Sequence, residues 1–441
     1  MTGKSLSGHL KDKLIQQALE HKLKQLEKSP SGLNPLAKHA DIPEAWCRFD
    51  QQAGYKQIQL IYKGSTQLGV GNPFFRLHEG VAGATTQIGG QTYINYASYN
   101  YLGLSGDPRV SQAAKDAVDQ YGTSVSASRL VSGERPVHRQ LETAIAQTYG
   151  VDDAVVMVSG HATNVTTIGY LFGTNDLIVH DELIHNSSLI GAQLSGAKRL
   201  SFPHNDYAAL DRLLQENRRQ YERVLIILEG LYSMDGDYPD LPEFIAVKCK
   251  HKAFLMVDEA HSLGVMGNSG LGIRDHFGID GKEVDIWMGT LSKTLAGCGG
   301  FIAGESALVE HLKFLAPGFL YSVGMPAQVA APTLAALHIL KQEPERVRRL
   351  QQLSAYFLAQ AQRLGMDTGQ SQGIAIIAAL TGSSLSAVRM SEALFQKGIN
   401  VQPILYPAVS EKSARLRFFI SCEHTEAQID QTLQAYREEM P

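Results

Sequence analysis

The chain has 441 residues, of which 44% are hydrophobic and 19% charged, and its formal net charge is −4. That balance excludes a disordered chain and provides no overall basic track of the kind a nucleic-acid motor needs. Cys47, Cys249, Cys298 and Cys422 form no CxxC pair, so neither a zinc site nor a disulfide framework is indicated.

The elements are taken in chain order. The opening "MTGKSLSGHLKDKLIQQ" lacks the apolar core of a signal peptide, and no segment reaches the roughly 18 apolar residues of a membrane span. The expectation is a cytoplasmic protein without a transmembrane segment. Between His9 and Lys28, Leu10, Leu14, Ala18, Leu19, Leu23 and Leu26 fall near helical spacing, which predicts an amphipathic helix ending at "SPSGLNP". "RLHEGVAGATTQIGGQTYINYASYNYLGLSGDP" has hairpin-like alternation and turn glycines. Then "DAVVMV", "DLIVH", "RVLIILEG", "AFLMVDEA", "VDIWMG" and "GGFIAG" alternate with segments of crossover length. That rhythm predicts an α/β fold with a mostly parallel sheet covered by helices. After about Pro326 a helical stretch leads to "GIAIIAAL", "INVQPILYP" and "ARLRFFIS", strands of a smaller α+β domain. The expected divisions are an N-terminal helical extension over 1–70, a segment over 71–95 packing with the small domain, a large domain over 96–330 and a small domain over 331–441.

Ligands of open α/β sheets bind beyond the carboxyl ends of the strands. At those ends stand Ser159-Gly160-His161, then His185, Glu229 followed by Ser233, Asp258 with His261, and Thr290, Ser292 and Lys293. Asp258 to His261 spell DEAH, a helicase signature, but an ATPase also needs a GxxxxGK[ST] loop after an early strand. The sole Gly-Lys-Ser, Gly3-Lys4-Ser5, follows no strand and has no room for the leading glycine. A metal held by Asp258, His261 and His185 would leave "GTLSK" without a purpose, so no metal is expected. Pyridoxal phosphate uses the whole set. It needs a lysine for a Schiff base, a carboxylate for its ring nitrogen, hydroxyls and helix N–H groups for its phosphate, and an imidazole over its face.

In these motifs the chain resembles the α-oxoamine synthases, pyridoxal-phosphate enzymes of fold type I. The resemblance runs from about Asn72 to the C-terminus and rests on "YASYNYLGLSGDP", "ASRLVSGERPVHRQLE", "SGHATN", "LIHNSSLIGAQLSGA", "LEGLYSMDGDYPDLP", "VDEAHSLGVMGNSGLG", "GTLSKTLAGCGGF" and "ARLRFFISCEHT". It implies that Lys293 carries the cofactor and moves the α-proton, Asp258 pairs with the ring nitrogen, and His185 stacks on the ring. It also implies that His261, with Ser233, faces the phenolic oxygen. It further implies that Gly160 and His161 offer backbone groups to the cofactor and that Thr290 binds its phosphate. Ser322 in "FLYSVGMP" matches a loop that reaches the phosphate of the opposite subunit, so a homodimer is expected. Arg417 would bind the amino acid's carboxylate; alternation alone does not separate it from Arg415. Asn100 would line the substrate entrance. The implied reaction is decarboxylative condensation of serine, alanine or glycine with an acyl thioester of CoA or an acyl carrier protein, giving an α-amino ketone. "SYNYLG" and "SCEHT" resemble serine palmitoyltransferases more than the biotin-pathway members. An aminotransferase or a non-catalytic partner subunit is the alternative; the presence of Lys293 argues against the second.

Overall fold

Residues such as Val224 to Leu228 are apolar at every position, the composition of a strand buried on both faces, and all of them are buried here. The structure is a computed structural model that describes residues 42–67 and 71–440. The helix expected between His9 and Lys28 and the Gly3-Lys4-Ser5 tripeptide lie outside those residues.

In chain order the strands are β1 (Thr85–Ile88), β2 (Gln91–Asn95), β3 (Asp153–Met157), β4 (Leu177–Asp181), β5 (Lys198–Phe202), β6 (Val224–Glu229), β7 (Phe254–Asp258), β8 (Ile286–Thr290), β9 (Gly300–Gly304), β10 (Ile376–Leu380), β11 (Ile399–Asn400), β12 (Gln402–Ile404) and β13 (Arg415–Phe419). Seven of them form one sheet in the order β3-β9-β8-β7-β6-β4-β5. From β8 through β5 the neighbours are parallel, whereas β9 runs antiparallel to both β8 and β3. The mostly parallel sheet expected from the apolar runs is therefore present. β5 is the strand those runs did not announce. It is "KRLSF", with its first two residues exposed at the sheet edge, where charges guard against stray pairing.

Two smaller sheets follow. β10, β13 and β12 are antiparallel, and β1 and β2 form a hairpin to which β11 adds in parallel. A strand from the C-terminal part thus completes the N-terminal hairpin. The helix Ala327–Gln342 runs unbroken through residues 330 and 331 and packs on the helices Pro108–Tyr121 and Pro136–Tyr149. A division at that point falls inside a helix.

The main core surrounds the central strands, with Trp287, Leu228, Val257 and Phe301 fully buried. Each such side chain contributes about 1.5–3 kcal/mol by leaving water. Gly236 sits at φ +76°, and a Cβ there would lie 2.1 Å from the Ile376 carbonyl oxygen. Only glycine lets the "SMDGD" loop after β6 approach β10 this closely, which brings Ser233 and Met234 toward β13. Among the described residues no helix is long and apolar enough to cross a membrane.

Candidate active site

The carboxyl ends of β6, β7 and β8, the start of the helix Gly160–Leu171 and β13 enclose a cavity of about 370 Å³. Gly160, His161, His185, Ser233, Asp258, His261, Thr290, Lys293 and Arg417 all border it. Asn100 does not. It is buried beside this cavity and lines an adjoining one of about 330 Å³, which shares Tyr99, Ser292 and Lys293. Ser322 lies farther away, in a separate cleft with Arg129 and Phe319, so a single chain does not bring it to the cavity.

Asp258 closes β7 with both oxygens engaged. Oδ1 accepts from the Ala260 N–H at 3.0 Å, and Oδ2 accepts from Asn164 Nδ2 at 2.8 Å. The Asn164 amide also donates to Ser187 Oγ at 2.9 Å, and that hydroxyl lies 2.7 Å from His185 Nδ1. His185 caps the helix Asn186–Leu194, its Nδ1 accepting from the Ser187 N–H at 3.3 Å. Nδ1 is therefore an acceptor, which leaves the ring hydrogen on Nε2. Burial holds His185 below its ordinary pKa; nearby Asp258 opposes the shift and Lys293 adds to it. A continuous chain of hydrogen bonds thus links the carboxylate to a neutral imidazole. Asn164 and Ser187 stand inside the motifs "SGHATN" and "LIHNSSLIGAQLSGA", but nothing local to either pairs Asn164 with Asp258, 94 positions away.

Lys293 follows β8, with its Nζ 5.4 Å from the centre of the Tyr99 ring. Burial lowers its pKa to about 8 and Arg417 pushes the same way, against Asp258 and Glu229. Such an amine gives up its proton within reach of neutral pH. Glu229, in register with Asp258 on the neighbouring strand, has its Oε1 buried without a partner. Burial first, and then Asp258, raises its pKa well above the carboxylate range.

Thr290 Oγ1 donates to the Gly299 carbonyl at 3.0 Å and accepts from the Ser292 N–H at 3.3 Å. A Cβ at Gly160 would stand 2.8 Å from that hydroxyl, so glycine allows the helix start to sit against β8. Ser159 caps this helix by accepting from the Ala162 N–H, and the first N–H groups of a helix have no acceptor within it.

The two arginines of β13 part company. Arg415 forms an ion pair with Asp235 at 2.6 Å and also donates to the Met234 carbonyl. Arg417 donates from Nη1 to the Ser233 carbonyl at 3.0 Å and lies over Phe419, while its buried Nε has no partner. His261 is bonded through Nδ1 to the Tyr101 hydroxyl at 2.8 Å, a residue outside the DEAH segment. Glu259, also from that segment, is fully buried and accepts from the Ile273 N–H, so it ties the loop to the helix Ile273–Phe277. Among the described residues no cluster of His, Cys, Asp or Glu could hold a metal ion.

An amine, a carboxylate anchored by an amide, a neutral imidazole, hydroxyls beside a helix start and a half-free arginine form one donor set. With Asn164 Oδ1, Glu229 Oε1 and Arg417 Nε orphaned, it suits a planar, phosphorylated, electron-withdrawing group. Fold and site together define a pyridoxal-phosphate enzyme of fold type I, with pyridoxal phosphate as its cofactor. The chain belongs to the aminotransferase class I and II family, whose model matches residues 91–435.

It is 41% identical over 365 residues to an 8-amino-7-oxononanoate synthase of Fervidobacterium nodosum, a match covering 82% of this chain and 92% of the relative. To a serine palmitoyltransferase of Bacteroides thetaiotaomicron it is 36% identical over 362 residues, covering 82% and 91%. A solved structure of SPT with PLP superposes with a TM-score of 0.84 at 29% identity, covering 88% of this chain and 97% of the other. These relatives are acyltransferases, and their two kinds match at comparable identity. The similarity of "SYNYLG" and "SCEHT" to serine palmitoyltransferases therefore does not choose between them.

Proposed function

We propose that this chain condenses a small α-amino acid (serine, alanine or glycine) with an acyl thioester carried on CoA or an acyl carrier protein, releasing carbon dioxide and an α-amino ketone. The observation that supports this most is the meeting of Lys293, Asp258 and Arg417 in one cavity. When bound, pyridoxal phosphate supplies an electron sink for the carbanion at the α-carbon. Asp258, held as an acceptor by Asn164 and Ala260, keeps the ring nitrogen protonated. His185 presents its ring face, with its orientation fixed by Ser187. Thr290 and the N–H groups of Gly160 and His161 receive the phosphate. His261 and Ser233, which border the cavity, would face the phenolic oxygen. Lys293 would hold the cofactor and, once free as an amine, would take and return the α-proton, a task suited to an amine with its pKa near 8. Arg417 binds the substrate carboxylate, since its Nε has no other partner. Asn100, in the adjoining cavity, lines the way in.

A cytoplasmic homodimer is part of this proposal. Ser322 lies between Tyr321 and Val323, which are 89% and 51% exposed, and its cleft is shared by Arg129, whose turn Arg129–Gly133 carries Val131 at 79% exposure. A second copy covering this apolar edge would receive Ser322 at its own phosphate site. Val131→Asp should convert the dimer to monomer in sedimentation; an unchanged dimer would remove this face from the interface.

The reaction is tested by incubating the yellow holoenzyme with each small amino acid and a panel of acyl-CoA and acyl-carrier thioesters, followed by mass spectrometry. One pairing should give an α-amino ketone with stoichiometric carbon dioxide. A keto acid and pyridoxamine formed without thioester consumption would mean an aminotransferase instead.

A further inference from the structure

Tyr101 lies shortly after the β1–β2 hairpin, 160 residues from His261, and its side chain is fully buried. Its hydroxyl is 2.8 Å from His261 Nδ1, and it has no other hydrogen-bond partner among the described residues. The direction of this bond follows from what each alternative would strand. If Nδ1 carried the hydrogen, the hydroxyl would accept it, and the phenol's own hydrogen would be left without an acceptor beside Phe419. An unmade donor in an interior pays its whole desolvation penalty. If the phenol donates, both groups are satisfied. A neutral imidazole whose Nδ1 accepts carries its hydrogen on Nε2, and Nδ1 is already taken, so Nε2 is the nitrogen left for the cavity that His261 borders.

Neither ring is charged. Burial holds His261 well below its ordinary pKa, and Lys293, Arg417 and His185, the charged and titratable groups facing it, act in the same direction. Burial likewise keeps Tyr101 a phenol, helped by Tyr99 and opposed by Arg417. Phe419, stacked 6.2 Å from the imidazole at an interplanar angle of 6°, and Tyr99, edge-on at 5.8 Å, hold the ring plane.

We propose that Tyr101 is a positioning residue whose O–H fixes His261 in the Nε2–H form, so that His261 offers the cavity a hydrogen-bond donor. This rests on the reading above for its chemical consequence. A donor aimed at the cofactor's phenolic oxygen stabilises that oxygen as an anion and lowers the proton affinity of the bound chromophore. An acceptor there would do the opposite.

The test is nitrogen NMR of the holoenzyme labelled at histidine, with the His261 signals assigned by their loss in His261→Phe. The expected result is a protonated Nε2 and an accepting Nδ1. Tyr101→Phe should then leave Nδ1 without its donor, so that its resonance loses the hydrogen-bonded shift and the ring is no longer locked, and should move the pH midpoint of the cofactor absorbance by about one unit, tenfold in proton affinity. A wild-type ring protonated at Nδ1, or an Nδ1 resonance unmoved in Tyr101→Phe, would overturn the proposal. Should Tyr101→Phe fold poorly, difluorotyrosine at position 101 keeps the shape and strengthens the donor. The His261 Nδ1 resonance should then shift further toward the hydrogen-bonded value, and an unmoved resonance overturns the proposal equally. The His261→Phe absorbance separates the two ideas: an unshifted midpoint there removes His261 from the phenolic oxygen, while the tautomer result still decides the role of Tyr101.

Discussion

Two buried clusters of charge lie on this fold, and they differ in how completely they are satisfied. Around Glu142, which is fully buried, Arg129 bonds both Glu142 and Glu134, Lys313 reaches the second Glu142 oxygen, and the Val156 N–H donates to the first. No side-chain atom of these four residues is both buried and unpartnered. Around Asp258 the count runs the other way: Asn164 Oδ1, Glu229 Oε1 and Arg417 Nε are buried with no partner. Folding alone selects for the first arrangement, because orphaned polar groups cost stability. The second is the arrangement expected where a bound group completes the set. The contrast fits a structural role for the Glu142 cluster and the ligand-binding role proposed for the Asp258 cluster.

The widest separation between the clusters should come from Lys293→Ala. Turnover and the visible absorbance of the bound cofactor should both vanish, while denaturant unfolding of the cofactor-free protein changes little or moves toward greater stability, since a desolvated amine has been removed. Persisting turnover would take Lys293 out of the chemistry. Glu142→Ala should do the reverse. It leaves Arg129 and Lys313 without their shared carboxylate in a buried place, which should cost about 3–5 kcal/mol in urea unfolding. The activity per folded molecule should hold. A loss of kcat at unchanged stability would break the comparison.

The arginines of β13 sharpen it within one strand. Arg417→Lys keeps the charge and loses the fork, so KM for the amino acid should rise about 10–100-fold, the worth of about 1.5–3 kcal/mol for bonds to a charged group. Arg415→Lys should leave that KM near its starting value and lower stability, because its partner is Asp235 rather than substrate. Steady-state kinetics with saturating thioester checks both, and equal KM effects would mean the two roles are shared.

What could be read from the sequence follows the same division. Strands buried on both faces announce themselves as apolar runs, and the polar residues ending those runs mark the sheet edge where the cavity forms. β5 does not stand out as an apolar run, because this edge strand carries Lys198, Arg199 and Ser201, which break it. Alternation placed Arg415 and Arg417 on one face and could go no further; Asp235, 180 residues away in sequence, is what ties up Arg415. Asn164 meets Ser187 and Asp258, and Tyr101 meets His261, through contacts that only the fold creates, and no local period encodes them. Ser322 is a third kind of case, since its expected target belongs to another copy of the chain.

His204 supplies the smallest effect and the finest test. It sits between two carboxylates, with Nδ1 2.9 Å from Asp181 and Nε2 2.7 Å from Asp237. Burial disfavours its charge, but the two hydrogen bonds outweigh that and raise its pKa from 6.5 to about 10. The folded protein therefore keeps a proton that the unfolded chain releases above pH 6.5. Stability from this group is fully present below pH 6.5, falls as pH rises, and is gone above pH 10. His204→Gln, which cannot take the proton, should be least stable relative to wild type at pH 6, and the gap should narrow steadily up to pH 10 in urea unfolding. A gap that stays constant over that range would mean the histidine is held neutral. Asp237 ends the loop that carries Ser233 and Met234 to Arg417, so a charged His204 holds in place a loop on which the Asp258 cluster depends.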